Sequence, residues 1–389
     1  MDEPALQRGK RGNFVGEWFG HRVFPFVRST AGSILDQQIE TCPFLSAAKG
    51  AQSMCIKPEK SRGVCTVSTM PTGARRDWIV CPYRALDPGL LSSAISRLFG
   101  GLRSGLTFIV PAVRLASADI QIQVLEKLQT EHRVFIYLDE KLGGELSIPR
   151  TMSSPEFSFD VTIIEIILLN DLPAVGRFGV LEIQTMDFHG TYGHAVRNLK
   201  ETLRMFPGDF GATLETHREL LSERIEGPNI ANVFKRTFYQ MMFKFQLARS
   251  DQSAGCVLAI QQSVWDSWKP HLADPVLQPH ADGTFNLFKP MQDRPEHVPA
   301  WIYIFDLDAA SDQSPNPIEI RAIIATDAAS FSYYALEAAP EAALQNVSAS
   351  GGMLTLLARR LWKFWPDLAS TILIEGEPAV RLRGKRTRP

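Results

Sequence analysis

The sequence predicts an α/β protein built on a mixed β-sheet flanked by helices, preceded by a cysteine-rich metal-binding segment and followed by a basic tail. Three observations carry this reading. From about residue 89 onward, apolar runs of strand length alternate with amphipathic stretches of helix length. Four of the five cysteines, Cys42, Cys55, Cys65 and Cys81, fall within 40 residues of one another. The last nine residues carry five cations, Arg381, Arg383, Lys385, Arg386 and Arg388, which reads as a disordered tail. We therefore divide the 389 residues into 13–88, 89–370 and 371–389.

The elements follow in order. A helix is expected over Leu90–Phe99, a strand over Leu106–Pro111, a helix over Ala118–Thr130 and a strand over Arg133–Leu138. Next come two strands, Phe157–Leu168 and Phe178–Thr185, joined by a loop from Asn170 to Gly176, then a helix from near Gly190 towards Phe206. The best helical pattern is Ile230–Ala248, with Asn229 as N-cap after Pro228. Its apolar stripe is Ile230, Val233, Phe234, Phe238, Met241, Met242 and Phe245, while Asn232, Lys235, Arg236, Tyr239, Gln240 and Lys244 fall on the other side. Gly255–Gln262 reads as a strand leading into a helix through Trp268. Trp301–Leu307 and Ile318–Ala325 read as paired strands across a hairpin loop, and Leu354–Trp365 as an amphipathic helix.

Hydrophobic residues make up 45% of the chain and charged ones 21%, a balance that provides ample core and excludes a disordered polymer. A net charge of −1 means that any nucleic-acid contact must come from local patches. No run approaches the roughly 18 apolar residues of a membrane span. Met1–Gly12 is charged and lacks the apolar core of a signal peptide, so a cytoplasmic protein with no membrane partner is expected. Thiols stay reduced in that compartment. The four clustered cysteines then read either as a tetrahedral thiolate site for Zn²⁺ or iron or as four buried free thiols. Cys256 reads as a packed strand residue.

The chemistry-bearing pattern lies on the two central strands. In Gly179–Gln184 the period-two alternation puts Glu182 and Gln184 on one face and Leu181 and Ile183 on the other. Asp160 ends the preceding acidic and aromatic stretch Glu156–Asp160. Two carboxylates converging in this way suit Mg²⁺, which takes one or two carboxylates plus waters and a substrate phosphate. Gln184 cannot change protonation state near neutral pH, so it could orient water or a phosphoryl oxygen but not act as general base. Asp187 and His189 are plausible neighbours. On Ile230–Ala248 the polar residues Lys235, Arg236 and Gln240 suit DNA phosphates and guanine edges. Gln262, by its amide, suits either a base contact or a helix cap.

Six blocks of this sequence, Thr41–Leu45, Val80–Pro82 with Arg84–Pro88, Glu140–Ile148, Ser153–Asp160, Gly179–Gly190, and Glu226–Asn229 running into Asn232–Met241, closely resemble the NotI-type restriction endonucleases of the PD-(D/E)XK nuclease superfamily. The likeness runs from about Asn13 to about Trp365 and is poor in 100–130, 200–225 and 270–320. It implies a type II restriction endonuclease that cuts double-stranded DNA at a GC-rich palindrome as a homodimer, with a cognate DNA methyltransferase in the host. It implies Asp160 and Glu182 as Mg²⁺ ligands, with the Ile183 carbonyl as a further one, Gln184 where most of the superfamily has lysine, and Glu145 at an acidic position. It also implies an iron site at Cys42, Cys55, Cys65 and Cys81. A non-cleaving, sequence-specific DNA-binding protein with a structural metal is the alternative. A deaminase is excluded, since its His/Cys-x-Glu and Cys-x-x-Cys arrangement is absent from the sequence.

Overall fold

The computed structural model describes residues 12–26, 28–70, 75–100, 105–308, 311, 313–349 and 351–365; the basic tail 371–389 lies outside the described residues. A nine-stranded mixed sheet dominates. Its strands in chain order are β1 (Thr107–Pro111), β2 (Arg133–Leu138), β3 (Val161–Leu169), β4 (Leu172–Gln184), β5 (Ser253–Gln261), β6 (Gln278–Pro279), β7 (Phe285–Asn286), β8 (Ala300–Leu307) and β9 (Ile318–Thr326). The spatial order is β6-β7-β9-β8-β5-β4-β3-β2-β1. The pairs β4/β5, β5/β8, β1/β2 and β7/β9 are parallel, and β3/β4, β2/β3, β8/β9 and β6/β7 are antiparallel.

Centrally placed β5 is buried along its whole length, as its near-continuous run of small and apolar residues demands of a strand covered on both faces. Register then sorts the two faces. Leu181 pairs with Val257 and Val257 with Trp301, while Ile183 pairs with Ala259 and Ala259 with Tyr303. This odd-numbered face packs with Leu91, Ala94, Ile95 and Leu98 of α1 (Pro88–Phe99) in one core. Leu181, Val257 and Ile95 are fully buried, and each contributes about 1.5–3 kcal/mol in side-chain burial. Asp87 caps α1, accepting from the Gly89 and Leu90 amides at 2.8 and 3.1 Å, with Pro88 at the first helical position.

Several expectations need correction. The loop expected from Asn170 to Gly176 is a two-residue hairpin turn, because Asn170 and Asp171 both adopt positive φ, 51° and 60°, the conformation that matches hairpin twist. Leu169 therefore pairs with Leu172, and β4 begins far earlier than Phe178. The strand expected over Phe157–Leu168 breaks at Asp160. Phe157–Phe159 pairs instead with Leu146–Ile148 in a separate two-stranded sheet, and β3 resumes at Val161. Asn229 stands before α4 (Ile230–Leu247; α2 is Ala118–Leu128 and α3 Gly193–Met205) but makes no side-chain capping bond. Its backbone N–H goes to the Asp187 carbonyl at 2.8 Å.

The chain divides into two compact units, 1–268 with 276–331, and 269–275 with 332–389. Within the first unit, the cysteine-bearing segment is tied directly to the sheet. The Ile79 amide donates to Gln261 Oε1 at 2.8 Å; inside the segment, buried Arg84 donates to Glu17 at 2.7 and 3.0 Å. The described part of the second unit is helical and includes Ala339–Ala349 and Gly352–Leu361. Among the described residues, no helix is long and apolar enough to cross a membrane.

Candidate active site and cysteine cluster

The β3/β4 ladder pairs Leu181 with Val161 and Val180 with Thr162, so continuing it one step sets Asp160 opposite Glu182. The short ladder pairs Leu146 with Phe159, so continuing it one step sets Glu145 opposite the same Asp160. Asp160 is the junction of two ladders, with an acidic residue across from it on each side. Its backbone N–H donates to Glu182 Oε1 at 3.3 Å, and its Oδ2 accepts from the Ile183 amide at 2.9 Å. Asp160 Oδ1 has no hydrogen-bond donor among the described residues and stays open to a ligand.

Glu182 lies on the even-numbered face of β4, in register with Leu258 and beneath α4. It is 5% exposed. Burial, reinforced by the Asp160 carboxylate, pushes its carboxyl up to about 8, against the opposing pull of Lys244. Lys244 of α4, 3% exposed, donates to Glu182 Oε2. The sequence pattern puts Lys244 on the exposed side of α4. The structure buries it, because α4 covers the face carrying Glu182 and residue 244 borders the buried stripe of Met241 and Phe245. Lys244 is the principal site residue that helical spacing misses; its signal is a cation adjoining an apolar stripe above a strand that presents a carboxylate.

Gln184 is occupied at both ends of its amide. Its Oε1 accepts from Thr237 of α4 and its Nε2 donates to the Thr185 carbonyl, so it pins α4 to β4. Glu145 is exposed, and partial desolvation together with Asp160 raises its carboxyl. A further buried acid, Asp139, accepts from Tyr83 Oη at 2.8 Å; burial raises it, and the nearby Asp160 adds to the effect. Exposed Arg236 pairs with Asp187 at 2.9 Å, and Lys235 and Gln240 are exposed on the same helix. Gln262 begins the helix Gln262–Trp268 and donates to Asp266 at 3.0 Å, an i,i+4 side-chain pair and neither of its two expected roles. His189 is exposed on the short strand Phe188–Gly190. A cavity of about 250 Å³ opens between α4 and the stretch before Asp160, lined by Phe157, Ser158, Arg236, Tyr239, Gln240 and Lys244 among others.

The cysteines sit in the core of the first unit. Cys42, Cys65 and Cys81 are buried and Cys55 is half-buried. Cys42 and Cys81 each precede a short helix whose first residue is proline, Pro43–Lys49 and Pro82–Ala85. Backbone N–H groups of Phe44 and Leu45 reach the first sulfur, and those of Tyr83 and Arg84 the second. The neighbouring thiols of Cys65 and Cys81 perturb each other, lowering Cys81 and raising Cys65, and the Cys65 Sγ donates to the Gly63 carbonyl at 3.4 Å. Burial raises Cys42, and the neighbouring Cys81 and Cys55 add to this. Even so, no group of three or more His, Cys, Asp or Glu side chains among the described residues is disposed to hold a metal ion, so neither the expected four-cysteine site nor the set Asp160, Glu182 and Glu145 is a preformed cage. Cys256 is a fully buried residue of β5, as expected.

No family model matches the chain, and no curated protein matches it.

Proposed function

We propose that the protein is a metal-dependent, sequence-specific deoxyribonuclease of the NotI-type restriction endonuclease kind, acting as a homodimer on a GC-rich palindrome. The observation that carries this reading is Asp160 at the meeting of two ladders with Glu182 and Glu145 across from it, beside a cavity with Arg236 and Lys244 in its wall. The donor chemistry fits Mg²⁺: hard carboxylate oxygens, one of them the open Asp160 Oδ1, with the Ile183 carbonyl nearby. Asp160 and Glu182 would hold the ion. When bound, it would activate water and neutralise charge growing on the phosphoryl oxygens.

The chain's own residues prepare that chemistry. The Ile183 N–H fixes the Asp160 carboxylate, Lys244 fixes Glu182, and the Gln184–Thr237 bond fixes the helix that carries Lys244. Exposed Lys235, Arg236 and Gln240 would meet the DNA backbone and base edges. A structural iron or zinc at Cys42, Cys55, Cys65 and Cys81 belongs to the same reading. Its support is a set of four thiols within electrostatic reach of one another, two of them met by backbone N–H groups.

Incubating the purified protein with a large GC-rich DNA and Mg²⁺ tests the reading in one lane. Discrete fragments are expected; intact DNA, or a smear without preferred sites, would overturn it.

A further inference from the structure

Arg236, Gln240 and Lys244 stand four residues apart on α4 and so line up along one side of the helix, where all three enter the cavity wall opposite Phe157 and Ser158. Their states differ. Arg236 is exposed and already paired with Asp187. Lys244 is buried, donates to Glu182 and still lines the cavity, so one side chain touches both an acidic residue of the site and the cavity beside it. An ammonium has three N–H donors and no acceptor. One donor is used by Glu182, and among the described residues no second acceptor is found for it. The Phe159 ring lies 5.6 Å from Nζ, and next to Lys244 in the helix Phe243 stacks on Phe157 at 3.5 Å between ring centres.

This ammonium bonds Glu182 and acts electrostatically on Glu145, and the Asp160 carboxylate acts on both of those acids. Without a further cation that set repels a phosphodiester. We infer that Lys244 is a positioning residue that does two things at once, holding Glu182 in place and serving as a built-in counter-charge that lets a DNA phosphate enter the cavity before any divalent ion is bound. This rests on the nuclease reading above.

The test uses the full-length protein and a DNA fragment that the wild type cuts, with binding followed by fluorescence anisotropy in EDTA and again in Ca²⁺. Lys244→Met should bind about tenfold more weakly than wild type in EDTA, and Ca²⁺ should bring it back to within about twofold, because a divalent ion replaces the missing charge. With Mg²⁺ its cleavage rate should fall about 100-fold, since Glu182 is no longer held; Lys244→Arg, which keeps the cation, should lose far less of both properties. Equal binding of wild type and Lys244→Met in EDTA would overturn the inference, as would a loss that Ca²⁺ fails to restore. If Lys244→Met does not fold, the double variant Lys244→Met with Glu182→Gln leaves no lone buried charge and, compared above about pH 8 where Glu182 is ionised, the same net charge. It should bind in EDTA as wild type does, and weak binding there would also overturn the inference. A wild type that cuts DNA alongside a Lys244→Met that cuts equally well removes the role of Lys244 alone. A wild type that neither cuts nor binds DNA removes the nuclease reading and the role together.

Discussion

The acidic residues at Asp160 and the thiols around Cys81 are both partly buried polar clusters in one compact unit, but they are held in place by different means. Register fixes the carboxylates: two antiparallel ladders converge on Asp160, and backbone amides and Lys244 take up the carboxylate oxygens. The thiols come from separate elements, Cys42 and Cys81 at the starts of Pro43–Lys49 and Pro82–Ala85, Cys65 on the strand Val64–Thr69 and Cys55 in the segment ahead of it, and Cys55 and Cys65 make long contacts to the Gly63 backbone. On the proposed reading the sheet itself brings the carboxylates into register, whereas thiols drawn from separate elements would gain most from an ion, because metal binding is then also folding free energy.

The largest effect expected from breaking this contrast is at the carboxylates. Asp160→Ala should lower DNA cleavage by about 10³-fold or more while leaving the fold intact, seen as lost turnover with an unchanged circular dichroism spectrum and retained DNA binding in Ca²⁺. Full turnover in Mg²⁺ would remove Asp160 from the site. The thiols should respond in the opposite manner. Cys55→Ser should lose a bound iron or zinc together with solubility, while Cys256→Ser keeps both; metal analysis of the purified proteins separates them, and a well-folded, metal-free wild type would refute the thiol site.

A third expectation concerns pH. The Glu182 carboxyl is raised from 4.5 to about 8 in the folded state, so its contribution to stability is complete below 4.5 and lost as the pH rises towards 8. Without divalent ions the melting temperature should therefore carry a downward component across that window. The rise in melting temperature on adding Mg²⁺ should grow over the same window, since the ion favours the ionised form. An increment that does not change with pH would separate Glu182 from metal binding. The smallest effect belongs to the exposed face of α4. Lys235→Ala should reduce the salt dependence of DNA binding by about one unit of slope on all sequences alike, whereas Arg236→Ala should cost about 1–3 kcal/mol on the correct site alone.

How much of this is legible in the sequence varies with how local the cause is. The helix at Pro88–Phe99 and the strand Arg133–Leu138 follow from apolar spacing and an Asp-Pro start, signals contained within a dozen residues. The Asn170-Asp171 turn is also local, but its neighbourhood resembles a loop unless both residues are allowed positive φ. The break at Asp160 is hidden because alternation continues through it; what interrupts the strand is a carboxylate bonded to an amide 23 positions away. Asp160, Glu182 and Gln184 can be named from pattern and resemblance, whereas the occupation of the Gln184 amide by Thr237 and the burial of Lys244 depend on which sheet face α4 covers. That choice is made by packing across more than 50 residues of chain, and no periodicity records it.

The ladder at Asp160 also predicts where the chain tolerates a change of length. Register shifts between Val175 and Phe178, so the hairpin beyond that bulge, including exposed Leu169, Leu172 and Val175, is an arm whose tip can be trimmed or grafted by equal numbers of residues on each side without moving the acidic residues. Below the bulge the tolerance ends. A single residue inserted or deleted between Val161 and Ile164 would turn every following side chain to the opposite face of the sheet and separate Asp160 from Glu182, although composition and hydrophobicity would scarcely change.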